Sequence, residues 1–158
     1  MTRYAEGTNV SVDRSKAELE KLLQKYGATR FVSGWDQQQL MVGFEMNHRQ
    51  VKLLVPIPSK DDPAIKYTPS GAYQRSERGI AQEWQGAIRQ RWRALVLIVK
   101  AKLEAVAEGI TTFDEEFLGN LMLQDGRTVA EVVLPHLADL PNALPARSVP
   151  TDTGGERP

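Results

Sequence analysis

The stretch Leu40-Met41-Val42-Gly43-Phe44-Glu45-Met46, followed after Asn47-His48-Arg49-Gln50 by Val51-Lys52-Leu53-Leu54-Val55-Pro56-Ile57, decides the fold. Leu40, Val42, Phe44 and Met46 alternate with Met41, Gly43 and Glu45, and Val51, Leu53, Val55 and Ile57 alternate with Lys52, Leu54 and Pro56. A period of two marks a half-buried strand, because successive side chains leave a strand on opposite faces. Asn47-His48 lies between the runs and is a turn candidate. Upstream, Phe31 and Trp35 flank Ser33 and Gly34, and Asp36 to Gln38 supplies another turn. The economical reading is a three-stranded antiparallel meander. Pro56 and Pro58 end its third strand, since proline cannot donate to a ladder.

On both sides of the meander the period becomes 3.6. Ser15 with Glu18 forms a capping-box pattern, and Leu19, Leu22, Leu23 and Tyr26 recur at i, i+3, i+4, i+7, which predicts a helix over 15–26 that Gly27 ends. Residues 59–73 read as a loop of about fifteen residues, a length that usually carries function or disorder. Ile65, Tyr67 and Tyr73 are its candidate anchors. A long helix is predicted over roughly 74–108 with Gly109 as its stop, and Ile80, Trp84, Ile88, Leu95, Val99 and Val106 share one side of it. Gly79 and Gly86 each weaken its first half by ~1 kcal/mol relative to alanine, which favours a later start or a bend. Thr112 with Glu115 caps a short helix carrying Phe113, Phe117 and Leu118 and closed by Gly119; Asp125-Gly126 makes a turn; Thr128 with Glu131 starts a last helix through about Ala138. The expected organisation is a polar N-terminal arm over 1–12, a single α+β domain over 13–140, and a disordered proline-rich tail over 141–158.

Composition excludes several classes. The chain has 158 residues, 41% of them hydrophobic and 25% charged, which is ordinary for a globular protein and unlike a collagenous or strongly charged disordered one. No apolar run approaches the ~20 residues a spanning helix needs, so no membrane association is expected. The first residues lack the hydrophobic core of a secretory signal. Without cysteine, disulfides, thiolate nucleophiles and cysteine-ligated zinc are excluded, and a bacterial cytoplasm fits.

Tyr4-Ala5-Glu6-Gly7-Thr8, Tyr26-Gly27-Ala28, Trp92-Arg93-Ala94-Leu95, Lys100-Ala101-Lys102-Leu103-Glu104-Ala105-Val106, Thr112-Phe113-Asp114-Glu115-Glu116-Phe117 and Asp125-Gly126-Arg127-Thr128-Val129 together resemble a group of small proteins of bacterial phage and prophage genomes. The resemblance spans most of residues 4–135. It implies a phage-type genomic setting and action inside the host cell, and no particular chemistry. The helix-meander-helix order is also similar to that of double-stranded RNA-binding domains. That likeness is one of topology, because the basic Lys-Lys start of their second helix is not reproduced here, and a shared order of elements does not transfer function.

The formal net charge of zero is a sum of unlike parts. Residues 1–102 hold 17 Lys and Arg against 10 Asp and Glu, and residues 103–158 hold 3 against 10. Much of the positive excess falls on the long helix. On a wheel of 100° per residue, Arg89, Lys100, Arg75 and Arg93 lie within about 60° of Arg78, with Gln82 and Gln85 between them, and the row from Arg78 to Lys100 would be ~33 Å long. Guanidinium groups in such a row suit phosphate oxygens, and counterion release supplies affinity. Trp92, near the edge of the row, is placed to stack on a base. The expectation is therefore DNA or RNA binding through Arg75, Arg78, Arg89, Arg93, Lys100 and Trp92, without catalytic residues, metal or cofactor.

Other readings compete with this one. A basic stripe opposite an apolar one is also what a solvated amphipathic helix shows, and the acidic last third could pair with it. The second functional reading is a module that binds a host or phage protein through the same helix or the 59–73 loop. A distant third is a magnesium-dependent nuclease built on Glu104, Glu108, Asp114, Glu115 and Glu116, although acids in a helix's first turn also complement its dipole. Trp35, Trp84 and Trp92 are more simply core anchors. His48 in a turn and His136 in the last helix have no partner at ligand spacing, and no phosphate-cradling Gly-rich loop, Gly-x-Ser-x-Gly elbow or His-Glu-x-x-His occurs.

Overall fold

In the computed structural model, which describes residues 10–140, a three-stranded antiparallel sheet in the order β1-β2-β3 carries two long helices on one face. The first is α1 (Val12–Lys25); the strands are β1 (Arg30–Trp35), β2 (Gln39–Met46) and β3 (Arg49–Pro56). A short helix α2 (Pro63–Lys66) precedes the long α3 (Glu77–Ala107), and α4 (Phe113–Phe117) and α5 (Val129–Val133) follow. The α+β class and the meander read from the sequence are both present. The expected arm and tail lie outside the described residues, except that the helix reaches into the arm at Val12.

Strand alternation delivers the core. Leu40, Val42, Phe44 and Met46 of β2 and Val51 and Leu53 of β3 are buried on the helix side, where they meet Leu19 and Leu23 of α1 and Trp92, Leu95, Val96, Val99 and Leu103 of α3. Phe113 and Phe117 close one end, the second packed edge-on to Phe44 at 5.7 Å between centroids. On the opposite face, Gly43 provides the gap into which Val32 leans: a Cβ there would sit 2.9 Å from Val32 Cγ2.

The β1–β2 connection has three residues, Asp36 to Gln38, and the β2–β3 connection two, Asn47 and His48. Asp36 N–H donates to Gln39 O at 3.0 Å and the Asp36 carboxylate accepts from the amides of Gln38 and Gln39. These two bonds hold the Asp36 carboxyl below the usual aspartate range. Asn47 and His48 both have positive φ, 51° and 59°, the requirement of the type I′ turn that matches strand twist.

Three boundaries differ from the sequence reading. The first helix begins a turn earlier, capped by Ser11, whose Oγ accepts from Arg14 N–H at 3.2 Å. Ser15, the expected cap, is instead fully buried on the face of Leu19 and Leu23, because Val12 also packs against the core and extends the helix backwards. The loop after β3 is not structureless: Asp62 caps α2, Ile65 is buried, and Tyr67 bridges to Gln74, whereas Tyr73 has an exposed side chain and is tied to Thr68 through its main chain. The long helix starts at Glu77 with Ser76 as its cap and runs as one element through Gly79 and Gly86. Both downstream capping boxes, Thr112 with Glu115 and Thr128 with Glu131, are formed. Pro135 falls in the 3₁₀ segment Leu134–Asp139, where it does not break α-helical hydrogen bonding.

The outer edges of the sheet are treated differently. Beside β3, Met122 N–H donates to Gln50 O at 2.8 Å and the Asn120 amide donates to Lys52 O at 3.3 Å. Among the described residues no strand pairs with the outer side of β1.

Candidate functional site

Of the cations expected in a row along the long helix, Arg75 and Arg93 are taken up by local bonding. Arg75 precedes α3 and is turned back on α2: its guanidinium donates to the carbonyls of Ala64, Ile65 and Tyr67 and lies 3.6 Å from the Glu83 carboxylate. It therefore caps a helix end, a use of arginine favoured by the negative end of the dipole. Arg93 is bonded to Glu18 of α1 at 2.5 Å. Arg78 and Lys100 are exposed, Arg89 is half-buried, and none of the three has an ion-pair partner among the described residues.

Trp92 is corrected outright. It is 1% exposed, one of the largest fully buried side chains, and the Lys16 ammonium sits 5.2 Å from its ring centroid, so no base can reach its faces. The reason is that α3 is covered from two directions, by the sheet and by α1, which widens its buried arc. On the 100° wheel Val96 coincides with Arg78, and Leu103 and Trp92 lie within about 40° of it. All three are core residues. The cationic row is thus the border of the core, along the seam with α1, and not the far solvent side of the helix.

That seam holds a cleft. Ser11 and Val12 from the start of α1 and Trp84, Gln85, Ile88 and Arg89 from α3 line a space of about 270 Å³. Its wall is largely apolar, with Trp84 as its aromatic member, and Gln85 and Arg89 belong to the same lining. Trp84 is half-buried and fixed: its indole N–H donates to Pro58 O at 2.9 Å, and the Lys60 ammonium stands 4.9 Å from its ring centroid. The space is at the small end for ligand pockets and suits one planar ring. The sequence placed Trp84 on the apolar side and Arg89 in the basic row. Only the arrival of α1 brings them into one concavity.

The acidic last third does not lie over the cationic row among the described residues. Asp114 pairs with Arg49 at 2.9 Å, Glu131 with Lys52 at 3.8 Å, Glu116 with Lys102 at 2.9 Å and Asp125 with Arg127 at 2.6 Å. The paired acids thus meet the sheet, the end of α3 and a near neighbour. From Trp84 to Lys102 the chain contains five cations and no carboxylate, so the middle of α3 carries a local positive field.

The carboxylates proposed for magnesium diverge. Asp114 turns to Arg49, Glu115 accepts from Thr112 in its own capping box, and Glu116 turns to Lys102. Among the described residues no three His, Asp or Glu side chains converge. His48 is exposed in its turn, and His136 is exposed in the final 3₁₀ segment. Trp35, expected as a core anchor, is 70% exposed. No helix among the described residues is long and apolar enough to cross a membrane. Comparison with protein-family models, with curated proteins and with solved structures finds no match to this chain.

Proposed function

We propose that this protein is a phage-type accessory protein that binds single-stranded nucleic acid along the α1/α3 seam. The observation that carries the reading is the cleft in which a fixed indole, Trp84, shares its lining with the guanidinium of Arg89. An aromatic wall takes an unstacked base, Gln85 offers donors and an acceptor to the base edge, and Arg89 takes the adjoining phosphate. A duplex keeps its bases paired and offers the cleft nothing to fill it, which favours the single strand. Arg78 and Lys100, each eleven residues from Arg89, stand ~16 Å away on either side at 1.5 Å per residue and would meet more distant phosphates of the same strand.

With about three phosphates neutralised, log affinity should fall with log salt at a slope of about −2 for a single strand. Titration of labelled single- and double-stranded oligonucleotides at low and moderate salt tests this. Arg89→Ala with Lys100→Ala should weaken single-strand binding and flatten the slope. Absence of binding at low salt, or binding indifferent to that double substitution, rules the reading out.

One observation favours a protein partner as the second reading: Val133, Leu134 and Leu137 at the C-terminal end of the described chain are exposed apolar side chains within one short segment. A host or phage protein retained from nuclease-treated bacterial lysate by the intact chain, and lost with Leu134→Asp, would support it over nucleic-acid binding.

A further inference from the structure

We infer that the open edge of β1 is a self-complementary surface that pairs two copies of this chain into one six-stranded antiparallel sheet.

The hydrogen-bond pattern fixes which groups are on offer. Asp36 N–H bonds Gln39 O, which makes that pair a hydrogen-bonded one. In an antiparallel ladder such pairs alternate with non-bonded ones, so Gly34 with Met41, Val32 with Gly43 and Arg30 with Glu45 also face each other through their main chains. The N–H and C=O groups of Phe31, Ser33 and Trp35 are therefore directed away from β2, towards the free side. The β3 edge is covered at Gln50 and Lys52 by Met122 and the Asn120 amide and ends in Pro56, whereas β1 has no proline and no such cover among the described residues. Sheets normally blunt such an edge, and one left open is a template for another strand.

The residues along this edge select a second copy of the same strand. Consider a two-fold axis at Ser33, normal to the sheet. Ser33 then faces Ser33 of the other copy once, on the axis, while Phe31 faces Trp35, Val32 faces Gly34 and Arg30 faces Asp36, each of these twice. The pairing brings a cation opposite an anion at both ends, an aromatic opposite an aromatic, and a branched side chain opposite a glycine. About six main-chain hydrogen bonds close between the copies. Shifting the register by two residues in one direction sets Val32 against Asp36 and removes both charge pairs; in the other it leaves Arg30 facing Gly34.

The side chains are available for this. Trp35 is 70% and Val32 51% exposed, and Ser33 is exposed although it shares the helix-side face with buried Val42, so of the helix-side residues of β1 only Phe31 is half-buried against the core. Arg30 has only a 3.9 Å approach to Glu45 and is otherwise in solvent. Both helix layers fall on the same side of the joined sheet, because an axis normal to the sheet preserves its faces.

Charge exchange provides the test, read by sedimentation or light scattering on the full chain, with circular dichroism confirming each fold. The unaltered protein should be a concentration-dependent dimer. Arg30→Asp alone and Asp36→Arg alone should each weaken dimerisation about tenfold or more through like charges, and an equimolar mixture of the two variants should recover it, since both contacts are then attractive. The chain has no cysteine, so Ser33→Cys is a clean reporter. Its sulfurs would meet across the axis at a Cα spacing of about 5.5 Å and cross-link on oxidation, whereas Lys100→Cys should not. A monomer up to high micromolar concentration overturns the proposal. So does a dimer that ignores Arg30→Asp, fails to cross-link at Ser33→Cys, or is not restored in the mixture.

Discussion

Arg93 of α3 donates to the Glu18 carboxylate of α1 at 2.5 Å, with the two side chains 22% and 43% exposed. This bond ties together the helices that form the cleft, and it converts a cation that looked available for phosphate into a positioning residue. A partly exposed charge-assisted pair contributes about 0.5–1 kcal/mol. A double-mutant cycle of Arg93→Ala and Glu18→Ala, followed by urea denaturation, should return a coupling energy in that range. Arg93→Ala should lower stability, whereas Arg89→Ala should lower nucleic-acid affinity with little effect on the urea midpoint.

Ser15 should be better replaced by alanine. Its Oγ is fully buried and finds no hydrogen-bond partner among the described residues, so folding strips its water without compensation. Alanine is also the stronger helix former. Ser15→Ala is expected to stabilise the protein by about 1 kcal/mol, visible as a higher urea midpoint at unchanged slope. A loss of stability would show that the hydroxyl has a partner in solution.

His48 sits at φ 59° in the second position of its type I′ turn, where glycine carries no Cβ penalty. His48→Gly should raise stability by about 0.5–1 kcal/mol despite the greater freedom of the unfolded chain. Thermal denaturation measures this directly, and Asn47→Ala should act in the opposite direction.

Acid should destabilise the fold in a defined window. Asp114 is held below its usual range by its hydrogen bonds to Arg49, Asp125 by those to Arg127, Glu115 by Thr112, and Glu131 by the Thr128 amide. A carboxyl whose folded value is lowered binds protons more weakly folded than unfolded. Its contribution is complete above the ordinary values of 3.8 and 4.5 and is lost as pH falls through and below them. Melting temperature should be flat from pH 7 to about 5 and then fall. Glu115→Gln and Glu131→Gln together should make that fall shallower while lowering stability at pH 7, because both capping boxes lose a charged acceptor.

The elements were legible in the sequence wherever one local rule decided them. Alternation over residues 40–57 placed two strands and their buried faces, and the capping boxes at Thr112 and Thr128 marked helix starts that the structure keeps. The start of α1 was misread because Ser11 and Ser15 are both competent caps one turn apart. The choice between them depends on whether Val12 finds a core to pack against, which is a tertiary fact.

The candidate site was legible only as a charge distribution. Sequence by itself determined that cations gather on one side of α3 and that acids follow them, since charge and helical period are local properties. Tertiary structure decided which cations are free. Arg75 was taken by the carbonyl end of α2, Arg93 by Glu18, and Trp92 by the core, while Trp84 and Arg89 came to line one cleft. The physical reason is that a helix wheel measures direction from the axis of one helix alone. How wide an arc is buried depends on how many other elements press against it, and α3 is pressed by both the sheet and α1.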